Sequence, residues 1–158
     1  MDPGLRGGIA VVGENAEILM TMAMPVNVSK GKRKINFSTI AGKLKEFDPD
    51  LTVIERVHAR PNQGVTSMFT FGYGLGGLVG VVSALGFPYT MELPGEWQGK
   101  ILKSIDKKMG KERSVIYCNQ RYPEAGVKDD GIADAICLAL FARHLVMVDK
   151  TFTIKDGE

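Results

Sequence analysis

From Pro61 to Met91 the chain carries no charged side chain. A stretch that long has to leave water for a core, an interface or a bilayer. Its composition chooses among these. Pro61, Asn62, Gln63, Thr66 and Ser67 stand at one end and Pro88 at the other. The centre, Gly72 to Gly86, is rich in glycine rather than leucine and would insert poorly into lipid. We therefore expect a buried or interfacial helix with no membrane role, capped by Thr66 or Ser67 and running to about Leu85. Gly72, Gly76 and Gly80 recur every four residues and share one smooth face. Glycine inside a helix costs roughly 1 kcal/mol against alanine, so a close packing contact has to offset it. Gly72-Tyr73-Gly74-Leu75-Gly76-Gly77 also fits G-x-G-x-x-G, with Glu92 placed as a ribose-binding acid. That motif works only as a strand-to-helix turn. Here the glycines fall inside the helix, so packing is the favoured reading and no small-molecule cofactor is expected.

The remaining pattern is α/β. The chain of 158 residues suits a single domain over 1–158, since no repeat or linker divides it. Gly8 to Val12 and Ile18 to Met22 are short apolar runs parted by Gly13-Glu14-Asn15, which reads as a hairpin. Phe37, Ile40, Leu44 and Phe47 share a helical face, and Asp48-Pro49-Asp50 ends that helix. Leu51 to Val57 is a buried strand and Pro88 to Met91 a further one. Trp97 to Lys108 reads as an amphipathic helix with Trp97, Ile101 and Ile105 inward. Arg113 to Gln120 is a short helix, and Asp130 caps a last one reaching about Val146. A hairpin followed by alternating helices and strands gives an α/β sheet flanked by helices. Cys118 and Cys137 are the only cysteines, without a CxxC or a secretory signal, so a cytoplasmic protein with reduced thiols is expected. His144 follows the last apolar helix, and His58 follows Glu55.

Four acids interrupt this pattern. Asp2 sits in a polar turn at the start, and Glu55 lies inside Leu51-Thr52-Val53-Ile54-Glu55-Arg56-Val57. Asp130 and Asp134 flank Gly131-Ile132-Ala133 at the head of an apolar helix. A buried carboxylate is costly unless compensated. Hard divalent cations prefer oxygen ligands and supply that compensation. Asp130 and Asp134 are four apart, on one helix face, where their like charges repel. Acids at strand ends and a helix head can converge on one sheet edge, where two metal ions support phosphodiester hydrolysis. Taken singly, Asp130 reads as an N-cap, Asp2 as a surface turn and Glu55 as a partner for an arginine.

These motifs carry a resemblance. DPG near the start, IERVHA at mid-chain and DDGIADA before an apolar helix resemble the RuvC-type Holliday-junction resolvases of the RNase H-like superfamily. The stretch from Ile54 to Trp97 is similar to versions carried by phages and mobile elements. The resemblance implies a central mixed five-stranded sheet flanked by helices. It implies a homodimeric, Mg²⁺-dependent endonuclease, tolerant of Mn²⁺, with two ions per site and branched DNA as substrate. If phage-encoded, it would act in the host cytoplasm. It assigns Asp2, Glu55, Asp130 and Asp134 to the metals, with Asp129 in reserve because spacing in the last motif varies. It makes the helix with Gly72, Gly76 and Gly80 much of the dimer interface. Related nucleases acting on flaps, forks or hybrids, and a non-catalytic junction-binding dimer, remain alternatives. The family places an apolar strand ahead of the first acid. Met1 alone precedes Asp2 in this numbering, so either a shortened central strand or upstream residues are expected.

The charge balance is only +2, but its distribution is uneven. Lys30, Lys32, Arg33 and Lys34 form one basic cluster, and Lys100, Lys103, Lys107, Lys108, Lys111 and Arg113 another. Either is explained by a solvated hairpin tip or helix face, yet two patches on a nearly neutral chain suit an anionic partner. Arg6, Lys32, Arg33, Lys34, Lys103 and Lys107 are expected to meet phosphates. The resemblance assigns Lys100 a role at the scissile phosphate. The loop with Arg60 and Gln63 is expected to reach the junction centre. Phe69, Phe71 and Tyr73 follow it and could stack on bases. Core packing is the favoured reading for Phe69 and Tyr73.

Overall fold

The structure, a computed structural model, describes residues 1–56 and 64–148. Arg60 and Gln63 lie outside the described residues, as do Val57 and His58. The first strands, β1 (Gly8–Val12) and β2 (Ile18–Ala23), pair antiparallel as the hairpin predicts. A second antiparallel pair, β3 (Val26–Ser29) and β4 (Lys32–Ile35), carries the first basic cluster at its tip. Helix α1 (Phe37–Phe47) starts where the Asn36 side chain accepts from the Thr39 N–H. It stops at Asp48, whose left-handed backbone sends its N–H to the Leu44 carbonyl. β5 (Thr52–Glu55) and β6 (Tyr89–Glu92) pair in parallel across α2 (Val65–Ala84). Then follow α3 (Pro94–Ile101), α4 (Arg113–Arg121) and α5 (Asp130–Val148).

β5 is buried on both faces, as a parallel strand between helix layers must be. Val53 belongs to a core built on α5, with Trp97, Leu102 and Cys118. Ile54 belongs to an opposite core with Ile40, Leu44, Leu78 and Val82 of α1 and α2. So α3, α4 and α5 cover one face of the sheet, and α1 and α2 the other. Tyr122 Oη donates to the Ala16 carbonyl at 2.6 Å and Arg143 Nε to the Glu14 carbonyl at 2.7 Å. These two bonds pin the β1–β2 turn to the α4–α5 layer.

The strands pair two by two, and the first two residues bridge the pairs. The Met1 ammonium donates to the Val53 carbonyl at 2.7 Å, and the Glu55 N–H donates to the Met1 carbonyl at 3.0 Å. That is the slanted ladder of a parallel pair. On the other side the Asp2 N–H donates to the Gly8 carbonyl at 3.0 Å. Met1 and Asp2 thus lie as a central strand between β1 and β5 and link the β1–β2 and β5–β6 pairs into one sheet, with β3–β4 pairing separately. Beside Met1, β1, β5, α1 and α5 line a cavity of about 470 Å³.

Several local expectations are corrected. Neither Thr66 nor Ser67 caps α2; Gly64 does, and the Thr66 carbonyl instead accepts from Thr70 Oγ1. The helix from Trp97 does not reach Lys108. It ends at Ile101, and the Asp106 carboxylate starts a separate 3₁₀ turn over Lys107–Glu112 by accepting from the Lys108 N–H. Phe69 and Tyr73 are not core residues, being 76% and 55% exposed. The Gly72–Gly77 motif lies wholly within α2, which removes the dinucleotide reading. α2 and α5 are both long and apolar enough to cross a bilayer by length and composition; α5 is a core helix, and α2 keeps an apolar face exposed.

Candidate metal centre and nucleic-acid interface

The acids arrive from three elements at one end of the sheet. Asp2 ends the central strand, and its Oδ1 accepts from the Gly4 N–H at 3.3 Å. Glu55 is the last residue of β5, one place beyond the Met1–Ile54 bridge. Asp130 and Asp134 occupy the first turns of α5. Close backbone contact seats that helix. A β-carbon on Gly131 would fall 2.2 Å from the Arg6 carbonyl oxygen, and one on Gly8 would fall 2.8 Å from the Gly131 carbonyl oxygen. Only glycine permits this approach. It also explains why position 131 carries no side chain that could serve as a ligand.

The electrostatics show the acids acting on one another. Burial, then the Asp2 charge, raises the Glu55 carboxyl from 4.5 to about 7. Burial raises Asp134 from 3.8 to about 6, with Asp2 and Asp130 adding to it and the Ser114 hydrogen bond opposing. Asp2 is raised chiefly by burial, with Asp130 and Asp129 adding repulsion. Beside them the Met1 ammonium is wholly buried and pushed down from 8.0 to about 6 by that burial. None of the four acids has a salt bridge among the described residues, where Lys43 and Glu46 form one.

These side chains fit hard cations by chemistry: carboxylate oxygens, partly buried at Asp2, Glu55 and Asp134 and exposed at Asp130, mutually repelling and without a salt-bridge partner among the described residues. They are not drawn together as ligands. Among the described residues no three acid, histidine or cysteine side chains lie close enough to hold an ion as they stand. Asp129, kept in reserve from the sequence, is the helix cap: its Oδ1 accepts from the Ile132 N–H at 3.0 Å. The capping expected of Asp130 is therefore performed by its neighbour. Asp130 accepts only from the adjacent Gly131 N–H, at 3.1 Å, and is solvent-exposed.

Sequence reasoning missed three residues here. Trp97 Nε1 donates to Glu55 Oε1 at 3.1 Å, and the Ser114 hydroxyl donates to Asp134 Oδ1. Glu92 ends β6 directly opposite Glu55 in the parallel register. The Glu55–Glu92 register is recoverable from two acid-ended strands; nothing local to Ser114 signals its partner.

The expected phosphate-binding cations are exposed, apart from Arg60, which lies outside the described residues. Lys100 is exposed on α3, and its charge bears on His144, whose pKa is lowered by slight burial first and then by Lys100 and Arg143. His144 is ten residues beyond Asp134, about 15 Å along α5. The charge that bears on Asp134 is Lys111. Arg113 leaves the basic surface altogether. It is buried, and its Nη2 donates to the Leu102 carbonyl at 2.7 Å. Lys30, Lys32, Arg33 and Lys34 are exposed on the β3–β4 hairpin, with Arg33 Nη2 donating to the Leu5 carbonyl at 3.2 Å. That bond brings the hairpin against the turn bearing Arg6, which is also exposed. Lys103 and Lys107 are exposed beyond α3.

The α/β sheet with helices on both faces is an RNase H-like fold. The chain superposes on Thermus thermophilus RuvC in complex with a Holliday junction substrate with a TM-score of 0.68, at 15% identity, covering 93% of this chain and 92% of that one. A second Thermus thermophilus RuvC structure matches with a TM-score of 0.61 at 20% identity, covering 93% of each chain. No protein-family model and no curated protein sequence matches. The chain has the fold of the RuvC-type resolvases.

Proposed function

We propose that this protein is a divalent-metal-dependent endonuclease that cleaves four-way DNA junctions as a homodimer. The observation that carries the reading is the group of acids without salt bridges at one sheet edge: Asp2, Glu55 and Asp134, partly buried, and Asp130, exposed beside them. The similar fold, solved on a Holliday junction in another protein, supplies the substrate class.

Asp2, Glu55, Asp130 and Asp134 would hold the ions, Mg²⁺ or Mn²⁺, two to a site. Bound there, the ions would supply Lewis acidity for in-line hydrolysis of a phosphodiester. The chain's part is to present ionised oxygens. Glu55 and Asp134 lose their protons near pH 7 and pH 6 without metal, so cation binding competes with protons across that range. The charge of Lys111 opposes the rise of the Asp134 pKa. Lys32, Arg33 and Lys34, with Arg6, form the exposed basic edge that would track the DNA backbone. Lys100, Lys103 and Lys107 would meet phosphate further along the duplex.

A four-way junction has two equivalent strands to cut, which suits a two-fold enzyme. The exposed face of α2 supports that assembly. Val65, Phe69 and Tyr73 are exposed there, and Gly72, Gly76 and Gly80 have nothing within 4 Å of a β-carbon position. An apolar patch with a glycine-smooth continuation is the surface a second copy would cover.

The test is nick mapping on a synthetic four-way junction with Mg²⁺, beside fork, flap and RNA–DNA hybrid substrates. Paired symmetric nicks on the junction are expected. Glu55→Gln should bind the junction and leave it intact; full cleavage by that variant removes the proposed site. Preferred cutting of forks, flaps or hybrids would move the assignment to another substrate. Metal-independent binding without nicks would make the protein a junction binder.

A further inference from the structure

Two neutral donors reach the acids from the core side. Trp97 is fully buried on α3, and its indole N–H donates to Glu55 Oε1 at 3.1 Å. An indole N–H can only donate, so a buried one needs an acceptor. Ser114, buried in the first turn of α4, donates its hydroxyl proton to Asp134 Oδ1. Each donor engages one oxygen of its carboxylate and leaves the other without a side-chain donor. The donors stand on different helices, and Arg113 joins those helices. From the start of α4 its Nη2 donates to the Leu102 carbonyl at the end of α3, at 2.7 Å, and its Nη1 reaches Gln98 Oε1 at 3.5 Å.

We infer that Trp97 and Ser114 are positioning residues for the Glu55 and Asp134 carboxylates as cation ligands, and that Arg113 braces the two helices that present them. The inference rests on the reading of the acids as a metal site. A carboxylate on a flexible side chain loses rotamer freedom when it takes a ligand's geometry. A donor that already fixes one oxygen removes that cost from cation binding. It also withholds one lone-pair side, which restricts how the carboxylate can meet an ion. Outer hydrogen bonds of this kind typically carry a factor of 10–100 in metal affinity or activity.

The experiment is Mn²⁺ titration by calorimetry of the full chain and of W97F, S114A and S114T, with melting curves to verify folding. Trp97 is the only tryptophan, so its fluorescence follows the Glu55 contact during a parallel Mg²⁺ titration. W97F and S114A should each weaken Mn²⁺ binding roughly tenfold. S114T keeps the hydroxyl and should restore the wild-type affinity. Fluorescence of the unaltered protein should shift as Mg²⁺ binds. Unchanged affinity in folded W97F and S114A overturns the inference and leaves the metal reading standing. No binding by the unaltered protein overturns the metal reading, and the inference with it. Should W97F fail to fold, the S114A and S114T pair decides: weakening in both alike shows a packing effect and refutes positioning.

Discussion

Replacing Glu55 by glutamine should stabilise the metal-free protein while abolishing its response to metal. The Glu55 carboxyl titrates near 7 in the folded chain against 4.5 when unfolded, raised first by burial and then by Asp2. Between these values the folded state holds a proton that the unfolded state has released. Stability from this group is therefore fully present below about pH 4.5 and is lost as pH rises through 7. The interval of 2.5 (7 minus 4.5) corresponds to about 3 kcal/mol at full weight. Glu55 keeps contact with solvent, and screening reduces that to about 2 kcal/mol. Glutamine cannot ionise, and its amide oxygen still accepts from Trp97. At pH 8 without metal, Glu55→Gln should therefore melt higher than the unaltered protein, by about 4–8 °C for a domain of this size. At pH 4.5 the two should melt together. Adding Mg²⁺ should raise the melting temperature of the unaltered protein and leave the variant unmoved. The assay is thermal unfolding followed by circular dichroism at pH 4.5 and 8, with EDTA or Mg²⁺. Equal melting at pH 8 in EDTA, or an equal Mg²⁺ shift in both proteins, would refute the reasoning.

Lys32→Glu with Lys34→Glu should weaken junction binding and lower the slope of log affinity against log salt by roughly two; band-shift titrations at several salt concentrations would show it, and an unaltered slope would take the hairpin off the DNA. Gly76→Glu places a charge on a face with nothing within 4 Å in the single chain. Sedimentation should then show a monomer with its melting curve little changed, whereas a persisting dimer would assign the interface elsewhere.

Elements with strong local patterning were legible. α1 begins and ends at the expected residues because its apolar spacing and Asp48-Pro49 agree, and the structure adds the Asn36 cap. β5 and α5 were legible for the same reason: dense apolar runs leave few alternatives. Arg113 was misjudged because a charged run looks the same whether its last member faces water or turns inward to meet a helix-end carbonyl. Phe69 and Tyr73 were misjudged because aromatic residues at helical spacing look like core, and only the tertiary arrangement leaves that face uncovered. Asp129 and Asp130 are equivalent as caps in sequence; the helix register, set by the glycine contact at Gly131, chooses between them. Trp97 and Ser114 lie 42 and 20 residues from their carboxylates, and no local spacing encodes such a pair.

Asp2 is aimed by three ladder bonds: Met1 to Val53, Glu55 to Met1 and Asp2 to Gly8. The bonds at Met1 hold this strand on the β5 side and that at Asp2 holds it on the β1 side. The turn that follows is fixed as tightly. A β-carbon on Gly7 would lie 2.2 Å from the Asp2 carbonyl oxygen, and Gly131 presses on the Arg6 carbonyl from the far side. Asp2 is therefore held between β5 and the first turn of α5 by backbone packed on backbone. Those are the two elements that carry Glu55 and Asp134. The main chains that carry Asp2, Glu55 and Asp134 are thus packed together, and burial with mutual repulsion raises all three carboxyls.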